Sequence, residues 1–187
     1  MSFSISKRHR SKIGSHLEAV EDIYSLNKHI LGPGKLAEKE WLDADLVAPD
    51  MTKIREYRLK RVREKLVEFD CAGILLYDPV NIRYATDSTN MSLWTSHNAA
   101  RYSLIMTEGP VIIFEFDAHE FLSNHNPLIT EVRHALTYLY FTAGDKSKEK
   151  AKIWASEIFD IMREYGSDNR RLAIDHCAPE GIHELQS

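Results

Sequence analysis

Side chains suited to binding a ligand are concentrated in one segment near the middle of this chain of 187 residues. The segment follows the apolar run Gly73-Ile74-Leu75-Leu76, which is typical of a buried strand. Its candidate site residues are Arg83, Tyr84, Asp87, Trp94, His97 and Arg101. Polar and aromatic groups beyond the carboxyl end of a strand match the position where open α/β sheets bind ligands or partners. The segment is therefore predicted to form a binding surface at an edge of the sheet.

Turn chemistry is an alternative explanation for part of this segment. Asp78-Pro79 favours a turn whose second residue starts a short helix, and Asn81 can hydrogen-bond the local backbone. Asp87 is then another turn residue and Tyr84 a core residue, with no functional role. This alternative explains Trp94, His97 and Arg101, further along the segment, less well. Both interpretations therefore stay open.

The other histidines do not form a recognisable metal or catalytic motif. The stretch HEFLSNH, from His119 to His125, resembles the zinc-protease signature HExxH. A separation of six residues puts the two imidazoles about 120° apart around a helix, so both are predicted to be solvated surface residues. His176 follows Asp175 at the end of a candidate strand and is the strongest remaining candidate for a ligand or a base, although a structural role is commoner. No catalytic residue is predicted, because no dinucleotide fingerprint or nucleophile elbow occurs.

The charge of the chain gives no reason to expect a polyanionic partner. The formal net charge is −4, so no global field attracts nucleic acid or acidic lipid. Basic residues are nevertheless crowded between Lys53 and Lys65. The solvent-facing side of an amphipathic helix is the commoner explanation for such a run. The other explanation is a stand-alone interaction module whose basic face contacts an anionic partner.

Cysteine content and hydropathy predict an intracellular protein without a membrane segment. Cys71 and Cys177 are the two cysteines, and their spacing favours two reduced thiols over a disulfide framework or a zinc finger. The basic N-terminus is not followed by an apolar core region, and no run of about 18 apolar residues occurs. We therefore expect a cytoplasmic location and no membrane contact.

The chain is predicted to consist of an N-terminal arm, residues 1–49, and one domain, residues 50–187. The arm contains a possible helix from Gly14 to Ile30 and then the breaker Gly32-Pro33-Gly34. It lacks the apolar face that would let it fold alone. Asp50 is a plausible N-cap for the first helix of the domain, whose apolar residues recur at three- and four-residue spacing.

Five candidate strands and several helices follow. The strands are Ile74–Tyr77, Tyr102–Met106, Val111–Phe116, a stretch within Glu131–Phe141, and Leu172–Asp175. The second and third strands are predicted to be antiparallel neighbours, because the short connection between them carries the Gly and Pro of a hairpin.

Capping and spacing patterns predict the later helices. Asp117 and Glu120 form a capping-box pair that favours a short helix. A longer helix is predicted from Ser147 to Tyr165, and a brief helical tail after Pro179. This order of elements predicts an α/β fold with a mixed, mostly five-stranded sheet and helices packed on it.

Several parts of the sequence together resemble the N-terminal domain of the creatinase/prolidase (pita-bread) metallohydrolases. They are LKRVR at 59–63 leading into CAGILL at 71–76, DPVNIRY at 78–84, the hairpin around Glu108-Gly109-Pro110, and the strand that ends in Asp175. The NIRY segment is the most specific of these, and the resemblance covers roughly residues 50–180. It implies a creatinase N-terminal domain-like, ribonuclease H-like fold.

One departure from the family pattern is similar to a particular branch. Many members have a glycine after the Tyr-x-Thr of this loop, whereas here Tyr84-Ala85-Thr86 is followed by Asp87. That departure resembles the dimethylsulfoniopropionate lyase-like branch, which kept the pita-bread fold and cleaves a sulfonium zwitterion to acrylate and dimethyl sulfide. The resemblance therefore implies either an Xaa-Pro peptidase, such as a prolidase or aminopeptidase P, or a lyase for the full-length protein.

The resemblance assigns no metal ligand or cofactor to this chain. Family members hold a pair of divalent ions, Zn, Mn, Co or Fe, with two Asp, one His and two Glu of a C-terminal pita-bread domain. For the N-terminal domain it implies a non-catalytic role, a homodimer, contact with that C-terminal domain, and a wall over an active site. Arg83 or Arg101 would then pair with a substrate carboxylate. Trp94 or Tyr84 would stack on a cationic or apolar part of the substrate.

Overall fold

The computed structural model describes residues 35–47, 49–116, 119–124 and 126–187. The helix predicted from Gly14 to Ile30, the breaker at 32–34, the capping residue Asp117 and His125 lie outside the described residues. The chain divides into two units, Met1–Pro49 and Asp50–Ser187. In the described part of the first unit, helix α1 (Lys35–Asp43) exposes the apolar residues Leu36 and Leu42.

The second unit contains five strands and a series of helices within its described residues. The strands are β1 (Gly73–Leu76), β2 (Tyr102–Met106), β3 (Val111–Glu115), β4 (Glu131–His134) and β5 (Leu172–Ile174). The helices are α2 (Met51–Glu68), α3 (Pro79–Thr86), α4 (Ser92–His97), α5 (Tyr140–Ala143), α6 (Ser147–Tyr165) and α7 (Pro179–Gln186). Two short 3₁₀ turns, Glu120–Leu122 and Gly144–Lys146, complete the set.

The strands form one mixed five-stranded sheet in the order β4-β3-β2-β1-β5. β1, β2 and β3 are antiparallel neighbours, whereas β5 lies parallel to β1 and β4 parallel to β3. The predicted hairpin between β2 and β3 and the predicted α/β fold with a mixed sheet are confirmed. Tyr102 lies opposite Phe114 in that hairpin, and this register determines which residues meet at its open end.

Both faces of the sheet are covered, because successive side chains of a strand point to opposite sides. Trp154 and Ile158 of α6 are buried against one face. Leu59 of α2 and Ile82 of α3 are buried on the other face, where they join a cluster with Ile113. Full burial of such aliphatic side chains contributes about 1.5–3 kcal/mol each. The two layers hold the sheet in place between its helices.

Local capping explains where the helices begin. Asp50 accepts a hydrogen bond from the Lys53 backbone N at 3.1 Å, as predicted. Asp78 accepts from the backbone N of Val80 at 2.8 Å and of Asn81 at 2.9 Å, so α3 begins at Pro79. The predicted bounds of the long helix α6 are confirmed.

The segment after β1 is more helical than its sequence indicates. It contains α3 and α4, where the residue types favour a loop with one short helical turn. Helix α4 was missed because Met91, which precedes it, supplies no side-chain cap and has a left-handed backbone with φ of 36°. In the described ranges, moreover, none of the helices combines the length and the apolar character needed to span a bilayer.

Candidate binding surface

Helix α4 carries Leu93, the most exposed apolar side chain of the predicted binding segment. It has six residues, of which Thr95 is the buried one. Helices this short are marginal in water by themselves. Its position therefore depends on how the flanking polypeptide is attached to the sheet.

The exposed side chains Met91, Leu93, Trp94 and His97 form what we call the α4 surface. Leu93 is 79% exposed and Trp94 is 40% exposed. The Trp94 indole packs on the Phe116 ring with centroids 5.4 Å apart, so one part of the indole is held while another part is accessible. His97 follows Trp94 by three residues and lies on the same side of the helix. An indole and an imidazole are thus presented together.

A buried ion pair lies at the open end of the β2–β3 hairpin. The Arg101 Nε donates to Glu115 Oε1 at 2.8 Å, and the side chains are 1% and 0% exposed. Because Tyr102 lies opposite Phe114, Arg101 and Glu115 are the next cross-strand pair of this hairpin. The guanidinium of Arg101 is therefore engaged inside the domain.

Further hydrogen bonds converge on this pair. The residues that take part, which we call the Glu115 network, are Ser88, Asn90, Arg101, Glu115 and Ser123. Glu115 Oε1 also accepts from Ser123 Oγ at 2.8 Å, and Glu115 Oε2 accepts from Asn90 Nδ2 at 3.0 Å. Arg101 Nη2 donates to Ser88 Oγ at 2.6 Å. An isolated buried charge would cost several kcal/mol, and these partners offset that cost.

The three earlier candidates lie on α3 or at its end, beside α2. Asp87 Oδ2 accepts from Arg55 Nε at 2.7 Å, in a pair that is partly shielded from water. The Arg58 guanidinium lies 5.7 Å from the centroid of the Tyr84 ring. Tyr84 thus already has a cation over its ring, whereas the Arg83 side chain is exposed.

The six candidate residues therefore do not form one site. Trp94 and His97 share the α4 surface, Arg101 is buried in the Glu115 network, and the other three lie beside α2. Trp94 and His97 are the candidates that the fold brings together on one open surface.

Asp175 ties the carboxyl end of β5 to that of β1. Its carboxylate accepts from the backbone N of Tyr77 at 2.8 Å, of Asp78 at 3.0 Å and of His176 at 2.6 Å. The His176 Nδ1 lies 3.9 Å from Asp175 Oδ1, which is too far for a hydrogen bond. The Asp175 carboxylate thus has a structural role in joining the two strands.

The basic run of α2 is engaged within the domain. Every basic side chain between Lys53 and Lys65 has a partner there, either a carboxylate, a backbone carbonyl or an aromatic ring. The pairs are Lys53–Asp50, Arg55–Asp87, Arg58–Tyr84, Lys60–Glu64, Arg61–Tyr57, Lys65–Glu68, and Arg63 with the carbonyls of Met106 and Gly109. These contacts agree with the solvent-facing helix side that the sequence predicts.

Burial raises the pKa of the tyrosine hydroxyls in the layer that contacts α6. The pKa of Tyr77 lies well above its ordinary value, first because the hydroxyl is removed from water, and desolvation raises the pKa of Tyr102 in the same way. Both are neutral core residues near neutral pH.

The described residues do not form a metal site. Among them, no group of three or more His, Cys, Asp and Glu side chains is placed to hold an ion.

Glu115 is the residue of this region that the sequence analysis missed. It follows the apolar run Val111-Ile112-Ile113-Phe114, near the end of the strand predicted from Val111 to Phe116. A signal was nevertheless present, because Arg101 and Glu115 lie at equal distances from the hairpin turn and carry opposite charges. Cross-strand pairing of such residues follows once the register is known.

A mixed five-stranded sheet with helices on both faces defines the chain as an α/β domain. The sequence model of the creatinase/prolidase N-terminal domain matches residues 58–186. The chain belongs to this family, and the predicted resemblance is confirmed.

Two relatives are described as the dimethylsulfoniopropionate lyase DddP. The protein from Roseovarius nubinhibens is 40% identical over 161 residues, which are 86% of this chain and 36% of that protein. The protein from Roseobacter denitrificans is 39% identical over 162 residues, which are 87% of this chain and 36% of that protein. The chain thus spans little more than a third of the length of these relatives.

Solved structures of dipeptidases are similar to this chain at low identity. An Xaa-Pro dipeptidase from Bacillus anthracis is 16% identical with a TM-score of 0.47, over 71% of this chain and 30% of that chain. The N-terminal domain of an Xaa-Pro dipeptidase from Lactobacillus brevis is 13% identical with a TM-score of 0.47, over 68% and 84% of the two chains.

Proposed function

We propose that this chain is the non-catalytic N-terminal domain of a dinuclear metallohydrolase-type protein, and that its α4 surface forms part of the active-site entrance. The observation that carries the proposal is the pair Trp94 and His97, which are exposed on a helix attached to a buried ionic network. Family membership supports it, since the matched part is 36% of the DddP relatives and most of their length lies elsewhere.

The metal pair implied by the family is assigned to the C-terminal pita-bread domain. The residues of this chain do not fit it, because no suitable group of ligands occurs among the described side chains. We expect metal analysis to find a pair of divalent ions in the full-length protein and none retained by the 187-residue chain. A stoichiometric ion bound by this chain alone would overturn the assignment.

Lyase activity on a sulfonium zwitterion is the activity that the relatives favour for the full-length protein, since both DddP proteins are about 40% identical to this chain. Trp94 is then the residue assigned to the sulfonium, because a cation over an indole gains about 0.5–2 kcal/mol. Tyr84 is less suited, because Arg58 already lies over its ring. Neither candidate arginine is assigned to the substrate carboxylate, because Arg101 is paired with Glu115 and Arg83 lies beside α2, apart from the α4 surface.

The two candidate activities separate in one assay on the full-length protein. We expect dimethyl sulfide release from dimethylsulfoniopropionate and no cleavage of Xaa-Pro dipeptides. Trp94→Ala should lower kcat/KM about two- to thirtyfold, as the loss of about 0.5–2 kcal/mol predicts, while Phe141→Ala, a matched change of an exposed aromatic on α5, should leave it unchanged. Xaa-Pro cleavage without dimethyl sulfide release would favour the peptidase. If the Trp94→Ala variant and the native protein had equal kcat/KM, the proposal that the α4 surface forms part of the active-site entrance would be wrong.

Homodimerisation and a cytoplasmic location belong to the same proposal. Sedimentation of the full-length protein should give the mass of two chains, and a monomer at micromolar concentration would contradict this part.

The stand-alone interaction module is the weaker candidate, because the basic side chains of α2 already have partners in the domain. Binding to an anionic partner that falls steeply with added salt would favour the module instead.

A further inference from the structure

We infer that Glu115 is the positioning residue of the α4 surface, because its carboxylate holds the polypeptide on both sides of helix α4. The role of the α4 surface at an active-site entrance rests on the proposed function, whereas the attachment of the segment to Glu115 does not. Glu115 is the last residue of β3 and is fully buried.

Both attachment points lie close to the ends of α4. Asn90 precedes the helix by two residues and donates to Glu115 Oε2 at 3.0 Å. Arg101 follows the helix by four residues and donates to Glu115 Oε1 at 2.8 Å. One carboxylate therefore closes the segment 90–101 into a loop whose two ends are fixed to the same side chain.

Helix α4 itself makes contacts within the segment 90–101 and with the residue that directly follows Glu115. The Thr95 hydroxyl lies within hydrogen-bond distance of the carbonyls of Asn90, Met91 and Ser92, all inside the segment. The Trp94 indole packs on Phe116, the residue directly after Glu115. The orientation of Trp94 and the anchor of the segment are thus set at neighbouring positions, the last residue of β3 and the residue after it.

Stability alone does not account for a carboxylate at this position. Replacement of a buried ion pair by apolar residues of similar volume is often neutral or stabilising. An apolar side chain, however, cannot bind donors from Asn90, Arg101 and Ser123 in fixed directions. The directional bonds are what an apolar replacement would lose, and these bonds fix where the α4 surface lies.

Hydrogen exchange of the full-length protein tests this inference. Glu115→Gln removes the charge and one acceptor oxygen, and Asn90→Ala cuts one attachment while it leaves the ion pair. The matched control is Ser103→Ala, which removes a buried hydrogen bond between the same strands, from Ser103 Oγ to the Ile112 carbonyl at 3.0 Å, without touching the segment. We expect exchange of amides 92–98 to rise about tenfold in both test variants, relative to the control, as loss of one hydrogen bond to a charged group predicts.

The outcomes separate positioning from general destabilisation and from the proposed function. Exchange that rises equally in 92–98 and in β1, or no more than in Ser103→Ala, would overturn the positioning role. Should Glu115→Gln fail to fold, Asn90→Ala decides the matter by the same criterion. Faster exchange of 92–98 with unchanged kcat/KM would support the positioning role and contradict the proposed function of the surface.

Discussion

Arg101 and Glu115 face each other across the β2–β3 hairpin, with Arg101 Nε 2.8 Å from Glu115 Oε1 and both side chains inaccessible to water. The pair joins two strands, and through Asn90 and Ser88 it also joins the segment after α3. Arginine is a residue type that suggests substrate binding, but Arg101 has a structural role inside the domain. The exposed part of the same segment is the α4 surface.

Breaking this ion pair should be far more harmful than removing it. Arg101→Met leaves the Glu115 carboxylate buried without its cation, so the free energy of unfolding should fall by about 3–5 kcal/mol. The double variant Arg101→Met/Glu115→Leu should recover most of that loss. Urea unfolding of the three variants, including Glu115→Leu alone, measures the coupling. Additive losses in the double variant would mean that the two side chains do not act as a pair.

Asp175 should be important for the contact between β1 and β5. Asp175→Asn keeps the shape but loses the charge and one acceptor oxygen, so we expect a loss of about 1–3 kcal/mol in the free energy of opening of β1. Hydrogen exchange of the Tyr77 and Asp78 amides reports it directly, since both donate to Asp175. The control Asp160→Asn affects an exposed pair with Arg163 and should change stability by less than about 0.5 kcal/mol. Unchanged exchange of both amides would show that the Asp175 bonds are dispensable.

Gly181 should tolerate no side chain, because α7 passes close to the core at this residue. A Cβ on Gly181 would overlap the Tyr138 hydroxyl and lie 2.7 Å from the Cys177 sulfur. Gly181→Ala should therefore displace α7 and speed proteolysis within 179–186. Glu180→Ala, on the exposed neighbour, serves as the matched control. Equal proteolysis rates in the two variants would mean that the core adjusts to the methyl group.

Alkaline pH should destabilise the domain through its buried tyrosines. Burial raises the pKa of Tyr77, Tyr102 and Tyr138 above the ordinary value of 10.0. The unfolded chain therefore loses these protons first, so the stabilisation is complete below pH of about 10 and declines as pH rises beyond it.

Urea midpoints at pH 8 and at pH near 10.5, with tyrosinate absorbance followed alongside, test this dependence. Tyr138→Phe should reduce it, while Tyr140→Phe, on an exposed tyrosine, should leave it as it is. Ionisation of the buried tyrosines in the folded protein, before unfolding, would contradict the expectation.

Local rules were sufficient to predict most of the elements. The cap Asp50, the start of α3 at Pro79, the apolar stripe of α6 and the turn between β2 and β3 are short-range features, and each was predicted at its observed place. Helix α4 was missed also because Asn90, Trp94 and Arg101 attach it to distant residues, the last residue of β3 and the one after it. The propensity of six residues carries no such information.

The amino-acid sequence by itself determined the α/β class, because periodicity, capping and turn chemistry act between residues close in the chain, and its resemblance to the creatinase/prolidase N-terminal domain determined the family. Only the tertiary structure decided the role of each group. The register of one hairpin placed Arg101 against Glu115 and buried it, whereas the attachment of α4 left Trp94 and His97 accessible. Burial depends on which distant elements pack together, and this is why residue type alone did not separate a core arginine from a surface indole.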